Sequence, residues 1–340
     1  MLAAMIGSNS RVAVGPETQF FCKLSPQRLA AAAEDPNWPE LAVEALMGLT
    51  LAEQSVVKLF GLDRGRLKEI LQTRTPSIKA MLEALTGSYS KARNKRGWAE
   101  KTPNHLLNLP LIRSVWPTAR ILRIIRDPRD SALSTCRLPT FSNSFLANLY
   151  LWRTWQDTAN PFFESDQLSM TLRYEDLVLN AEGVLRSICE FTGHSFEPAM
   201  LDFRKAASDV SSLGETWKRP VSGGLTKDRL YVWKRELSPD LGQVANDVVF
   251  EYLERYDYER SIPSNAVRHV FRLSPAFVEE HEAILRGLHK NDERWLPTEN
   301  VFQADSIFEH PKYKNFRNPI QLARKWHNLR KLHQIGRPSV

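Results

Sequence analysis

Apolar residues recur at helical spacing over residues 27–93. Ala30–Ala33, a Leu/Val-rich stretch from Leu41 to Leu62 and another from Ile70 to Leu85 are separated by Pro36, Pro39, Gly61 and Pro76. That texture predicts helices packed over a core. From Gly97 the pattern changes to short apolar strands alternating with helices, which is the signature of a parallel α/β sheet. The segment WAEKTP ends a short strand, Thr102 is placed to cap a helix with Pro103 in its first turn, and that helix is expected to run to about Trp116. ARILRIIR, residues 119–126, lies between Pro117 and Pro128 and is the clearest buried strand of the chain. Asp127 then caps a helix that has Pro128 and Asp130 in its first turn. A third unit follows: SMTLRY as strand, Glu175 to Leu179 as loop, Asn180 as cap, and Val184, Ile188 and Phe191 on one helical face closed by Gly193. After residue 200 the pattern is helical except for the Gly-rich basic loop RPVSGGLTKDR at 219–229, and the main domain is expected to end near Tyr258.

Composition narrows the class. A chain of 340 residues, 42% hydrophobic and 25% charged, is an ordinary globular protein and neither disordered nor fibrous. Cys22, Cys136 and Cys189 lie far apart with no CxxC spacing, which argues for a reducing compartment over a disulfide scaffold. No apolar run approaches the roughly 20 residues of a membrane span, and MLAAMIGSNSR lacks a basic region ahead of its apolar stretch, so a cytoplasmic location is expected. The net charge is +7, yet the eight Lys and Arg after Glu309 have no acid among them, so the rest of the chain is close to neutral. A nucleic-acid-binding role for the whole protein is therefore not expected. The eight His are scattered without ligand spacing, so no metal is expected either. Lys91, Arg93, Lys95 and Arg96 read as a solvated basic loop.

Three strand ends present Lys101, Arg126 with Arg129, and Tyr174 with Glu175, and a fourth segment adds Ser222, Lys227, Arg229 and Lys234. Ligands bind parallel sheets at the carboxyl ends of their strands, and cations with hydroxyls and one aromatic suit a phosphorylated nucleotide. Surface ion pairs, such as Arg126 with Asp130, are the competing structural reading.

The blocks GWAEKTP, RILRIIRDPRDSALS and LRYEDLVLNAEGVLRSICEFTG, in that order, resemble the sulfotransferases that use 3′-phosphoadenosine 5′-phosphosulfate, in particular the tyrosylprotein-sulfotransferase-like and bacterial branches. The resemblance covers residues 1–258 and leaves 259–340 as a basic helical extension. It implies a three-layer, P-loop-NTPase-like parallel sheet flanked by helices, and transfer of a sulfuryl group to a hydroxyl acceptor by in-line displacement without a metal. Arg126 and Ser134 would hold the donor's 3′-phosphate, and Tyr174 would contact adenine. VGPETQFF, residues 14–21, is similar to the block whose Glu is the proposed base, which places that role on Glu17, while Lys101 matches a cation near the transferring group. Ser222, Arg229 and Lys234 belong to a looser block in which Val232 stands where a basic residue is common. The family's first strand and its 5′-phosphosulfate loop would lie just before Met1, so both are missing from the chain as given.

Two other readings stay open: an inactive truncated homologue that binds a nucleotide or a partner, and a module in which the tail is the working part. A P-loop kinase would need a GxxxxGK[ST] loop, which does not occur. The acceptor could be a peptide tyrosine, a glycan, a lipid or a small molecule. In the tail, Leu322, Trp326, Leu329, Leu332 and Ile335 form an apolar side, with Arg324, Lys325, Arg330 and Lys331 between them. Such a helix packs on the main domain or makes weak contact with an anionic membrane surface.

Overall fold

A computed structural model describes residues 1–138, 141, 144–204, 206–210 and 225–260. Ser222 and the tail past residue 260 lie outside them. Among the described residues the strands are β1 (Val12–Val14), β2 (Thr50–Leu51), β3 (Gln54–Ser55), β4 (Gly97–Ala99), β5 (Ile121–Ile125) and β6 (Ser169–Arg173). β1 pairs with β4 and β5 with β6, both in parallel, whereas β2 and β3 form a small antiparallel hairpin.

Between residues 26 and 92 the helices are Pro26–Ala33, Glu40–Met47, Val56–Leu59, Arg64–Gln72 and Ile78–Ala92. Ser25, Ser55, Asp63 and Ser77 cap four of them, each accepting the backbone N–H three residues on. Their buried faces, among them Leu29, Leu46, Leu67, Leu71, Met81 and Leu85, form one apolar core that also takes up Ala13 of β1. The Leu41–Leu62 stretch is not one helix, because Ala52 and Glu53 adopt left-handed φ values of 46° and 65° and turn the chain into the β2–β3 hairpin. Lys95 is not solvated as its basic run suggested: its Nζ donates to the carbonyls of Gly7 and Val12, and partial burial lowers its pKa. Arg93 stacks on Tyr89 at 3.4 Å.

β1 and β4 leave Val12, Val14 and Ala99 on one face, and β5 and β6 leave Leu122, Met170 and Leu172 there. All six residues pack in one cluster with the Leu2–Gly7 and Ala181–Thr192 helices. On the other face, Arg123 of β5 donates to Gln156 and Asn160 of the Phe145–Ser165 helix. The result is three layers, helix on strand on helix, as the resemblance implied.

Three local expectations change. The segment after Lys101 is a 3-10 helix, Pro103–Asn108, followed by a separate α-helix, Leu109–Val115, because Pro110 has no N–H to continue the first ladder. Thr102 does not cap it; its hydroxyl donates to Glu100 instead. Residues Tyr174–Leu179 are a helix rather than a loop, with Glu175 and Asp176 in its first turn, where acids are favoured. The expected caps Asp127 and Asn180 and the left-handed Gly193 end (φ 73°) are present.

Candidate active site

At the ends of β1 and β4 the chain brings together Glu17 and Lys101, 84 residues apart in sequence. Lys101 Nζ donates to Glu17 Oε1, and the Gln19 amide donates to Oε2 at 2.9 Å. Glu17 is only 8% exposed, while the lysine side chain is 35% exposed. The loop that carries Glu17 is tied to the β4 end by Glu100, which sequence reasoning did not single out. Glu100 Oε1 accepts the Thr18 N–H (3.2 Å), the Thr18 hydroxyl (2.8 Å) and the Thr102 hydroxyl (2.6 Å). Its Oε2 faces His105 Nδ1 at 2.8 Å. Burial alone would raise the Glu100 pKa, but His105 and the two threonines bring it down to about 2. Burial works against a proton on His105, whereas Glu100 draws its pKa up to about 10. The Phe21 N–H points at His105 Nε2 at 3.2 Å, a bond that needs the ring's lone pair. That contact opposes the protonation that Glu100 favours, and in either charge state the ring can donate from Nδ1 to an ionised Glu100.

The ends of β5 and β6 carry a second cluster. Arg126 leaves β5 and reaches the carbonyl of Arg229 at 2.5 Å, with its guanidinium 5.1 Å from the centre of the Tyr174 ring. The suspected Arg126–Asp130 pair exists at 3.5 Å, but Asp130 is buried and its pKa is raised by that burial. Arg126 Nε is buried with no hydrogen-bond partner among the described residues. Ser134 sits two turns along the Pro128–Thr135 helix, roughly 10 Å from its cap, and is half-buried. Tyr174 is half-buried, and desolvation raises its pKa. The Arg229 side chain is exposed, and Lys234 is engaged with Glu259 at 2.5 Å.

Arg129 differs from Arg126 although the two are three residues apart. It is fully buried, forks onto Asp127 at 2.9 and 2.7 Å, donates to Asn246 at 2.7 Å and lies 3.6 Å from the Trp233 ring centre. Trp233 N–H in turn donates to Asp130 at 2.9 Å. Glu175 accepts from the Asp127 N–H and the Tyr258 hydroxyl, and burial raises its pKa. Arg129, Asp130 and Glu175 thus build the platform on which Arg126, Tyr174 and residues 225–233 stand.

A carboxylate–lysine pair at one strand end and a part-unsatisfied arginine at another define an α/β domain suited to transfer of an anionic group. A family model described as the sulfotransferase family matches residues 1–198, and the chain belongs to that family. Among solved structures, the chain is similar to the sulfotransferase domain from the curacin biosynthetic pathway, with a TM-score of 0.52 and 16% identity over 76% of this chain and 93% of that one. It is also similar to the sulfotransferase domain from the Synechococcus PCC 7002 olefin synthase, with a TM-score of 0.51 and 18% identity over 77% and 90%. At these identities the likeness concerns the fold, the P-loop-NTPase-like architecture of sulfotransferase domains. No curated protein sequence matches the chain. No helix among the described residues is long and apolar enough to cross a membrane.

Proposed function

We propose that residues 1–258 move a sulfuryl group from 3′-phosphoadenosine 5′-phosphosulfate to a hydroxyl acceptor. The observation that carries this reading is the meeting of Glu17 with Lys101 at the ends of adjacent parallel strands. The acceptor oxygen attacks sulfur in line with the bond to the donor's 5′-phosphate oxygen. Glu17 takes the hydroxyl proton, the sulfur–oxygen bond to the phosphate breaks, and Lys101 offsets the charge gathering on the departing oxygen. 3′-Phosphoadenosine 5′-phosphate is the product left behind. The reaction needs positioning and charge compensation more than covalent chemistry from the protein, by analogy with phosphoryl transfer.

The residues at the end of β5 fit the donor's 3′-phosphate. The Arg126 guanidinium would supply donors, Ser134 a hydroxyl and Tyr174 an aromatic face for adenine. Arg229 would add positive charge at the rim, whereas Lys234 would first have to release Glu259. Ser222 keeps its assignment from sequence alone. We place the protein in the cytoplasm, a reading supported by its free cysteines.

Calorimetry with 3′-phosphoadenosine 5′-phosphate and with AMP tests the donor assignment. The 3′-phosphate should strengthen binding, and Arg126→Ala should remove about 1.5–3 kcal/mol of that gain. Equal affinity for the two nucleotides would refute the reading. Transfer of labelled sulfate from the donor to a panel of phenols, alcohols and glycans then identifies the acceptor.

A further inference from the structure

Glu100, its side chain 10% exposed, is not used by the chemistry proposed above, yet it is bonded to the segments that carry the two groups that are. Lys101 follows it directly in the chain. Thr18, whose N–H and hydroxyl both donate to Glu100, directly follows Glu17. Further bonds join the same two segments. The Gln19 N–H donates to the Thr102 hydroxyl at 3.3 Å, the Phe21 N–H to His105 at 3.2 Å, and the Asn108 amide to the Phe21 carbonyl at 3.3 Å. Gln19 itself holds a left-handed backbone, φ 56°, which an L side chain adopts only when its surroundings fix it there, and its amide is the second partner of Glu17.

These bonds share one centre. The Thr18 and Thr102 hydroxyls and His105 Nδ1 all spend their protons on Glu100, and Thr102 and His105 then accept from the Glu17 loop. A carboxylate with four donors around it is the one side chain of this size able to accept all of them. We propose that Glu100 is a positioning residue that, through Thr18, Thr102 and His105, holds Glu17 and Lys101 at transfer distance. The inference rests on the reading of Glu17 and Lys101 as the reacting pair. An uncharged amide at position 100 would turn an N–H₂ toward donors and break the web from its middle. Its neighbours would lose direction while the surrounding helices kept their packing.

The test is Glu100→Gln in the full chain, read by residue-resolved amide exchange, urea unfolding and donor-dependent sulfuryl transfer. Exchange at Thr18 and Phe21 should speed up roughly tenfold or more, the factor expected for lost hydrogen bonds around a charged acceptor. The urea midpoint should fall, since ionised Glu100 contributes to stability at neutral pH, while protection in the Ile78–Ala92 helix should drop by no more than that global loss. Turnover should fall by about ten- to a hundredfold, as for a small misplacement of reacting groups, with the donor KM nearly unchanged. Unchanged exchange at Thr18 and Phe21, or protection lost evenly along the chain, overturns the proposal. Should Glu100→Gln not fold, Thr102→Val is measured in the same way, and Thr102→Ser should restore what Val loses. Identical behaviour of Ser and Val also overturns it. A native chain that transfers no sulfuryl group refutes the transferase reading alone, since the exchange measurements still decide whether Glu100 orders the Glu17 loop.

Discussion

Arg126 and Arg129 lie in one short segment and should fail in opposite ways when truncated. Arg129 has no exposed surface, and its fork neutralises an Asp127 carboxylate that is 1% exposed. Arg129→Ala leaves that carboxylate buried with the backbone N–H of residue 129 as its remaining donor. It also takes one donor from the Asn246 carbonyl oxygen and one from the Glu259 main-chain carbonyl, and removes the stack on Trp233. Breaking one partner out of a buried pair costs about 3–5 kcal/mol, and the lost cation–π contact adds to that, with up to about 2 kcal/mol when fully desolvated. Against a total stability of about 5–15 kcal/mol, that is a large share. Arg126, by contrast, makes one bond to a carbonyl and one long ion pair at the rim. Its truncation should change stability by less than about 1 kcal/mol while weakening nucleotide binding. Urea unfolding followed by tryptophan fluorescence measures the first quantity and calorimetry the second. Arg129→Lys supplies a milder case, because it retains the charge but loses the planar fork. A loss below about 1 kcal/mol for Arg129→Ala would show that the Asp127–Arg129 pair does not hold the platform.

Glu17→Gln should lower turnover by roughly 10²–10⁴-fold with nucleotide affinity retained, the range for a lost general base, and steady-state kinetics that match the native chain would remove Glu17 from the chemistry. Lys101→Ala should slow transfer more than it weakens donor binding, which a comparison of kcat with calorimetric affinity decides. The Glu100 pKa is depressed from 4.5 to about 2, so its contribution to stability is complete above about pH 4.5 and drains away as the pH falls toward 2. Unfolding free energies between pH 5 and pH 3 should therefore slope less in Glu100→Gln than in the native chain, and identical slopes would contradict the assignment. In β5, Ile121 N–H bonds the Leu168 carbonyl, so the alternate amides of Leu122 and Ile124 point away from β6. They should exchange faster than those of Arg123 and Ile125, and equal protection would mean that the outer edge is covered.

Much of this arrangement was legible because local signals agree with one another. Pro117 and Pro128 bracket β5, Asp127 followed by Pro128 opens a helix, and Asn180 with Gly193 opens and closes another, each through chemistry confined to a few residues. The errors arose where distant residues overrule local preference. Thr102 has the right type and place for a cap, but Glu100 presents a charged acceptor, and the hydroxyl goes there. Lys95 belongs to a run of four basic residues, yet two carbonyls from the Leu2–Gly7 helix and β1 draw it inward. Arg129 and Arg126 look alike in sequence, and only the arrival of Asn246 and Trp233, more than a hundred residues later, separates a structural cation from a rim cation. Glu100 went unnoticed for the same reason, since three of its donors become neighbours only through the fold.

The two halves of the candidate site belong to strand pairs that share no ladder among the described residues. Glu17 and Lys101 stand at the ends of β1–β4, Arg126 and Tyr174 at the ends of β5–β6, so no hydrogen-bond register between the pairs among the described residues sets the distance from Glu17 to Arg126. That distance is set instead by the apolar layer in which Val12, Val14, Leu122 and Leu172 pack against Leu185 and Ile188. Close-packed side chains resist displacement but carry none of the directional precision of a β-ladder. Ile124, 40% exposed on the same face of β5 as Leu122, marks where that layer is thinnest. A β-ladder bridging the two pairs would join them into one sheet and convert packing into register.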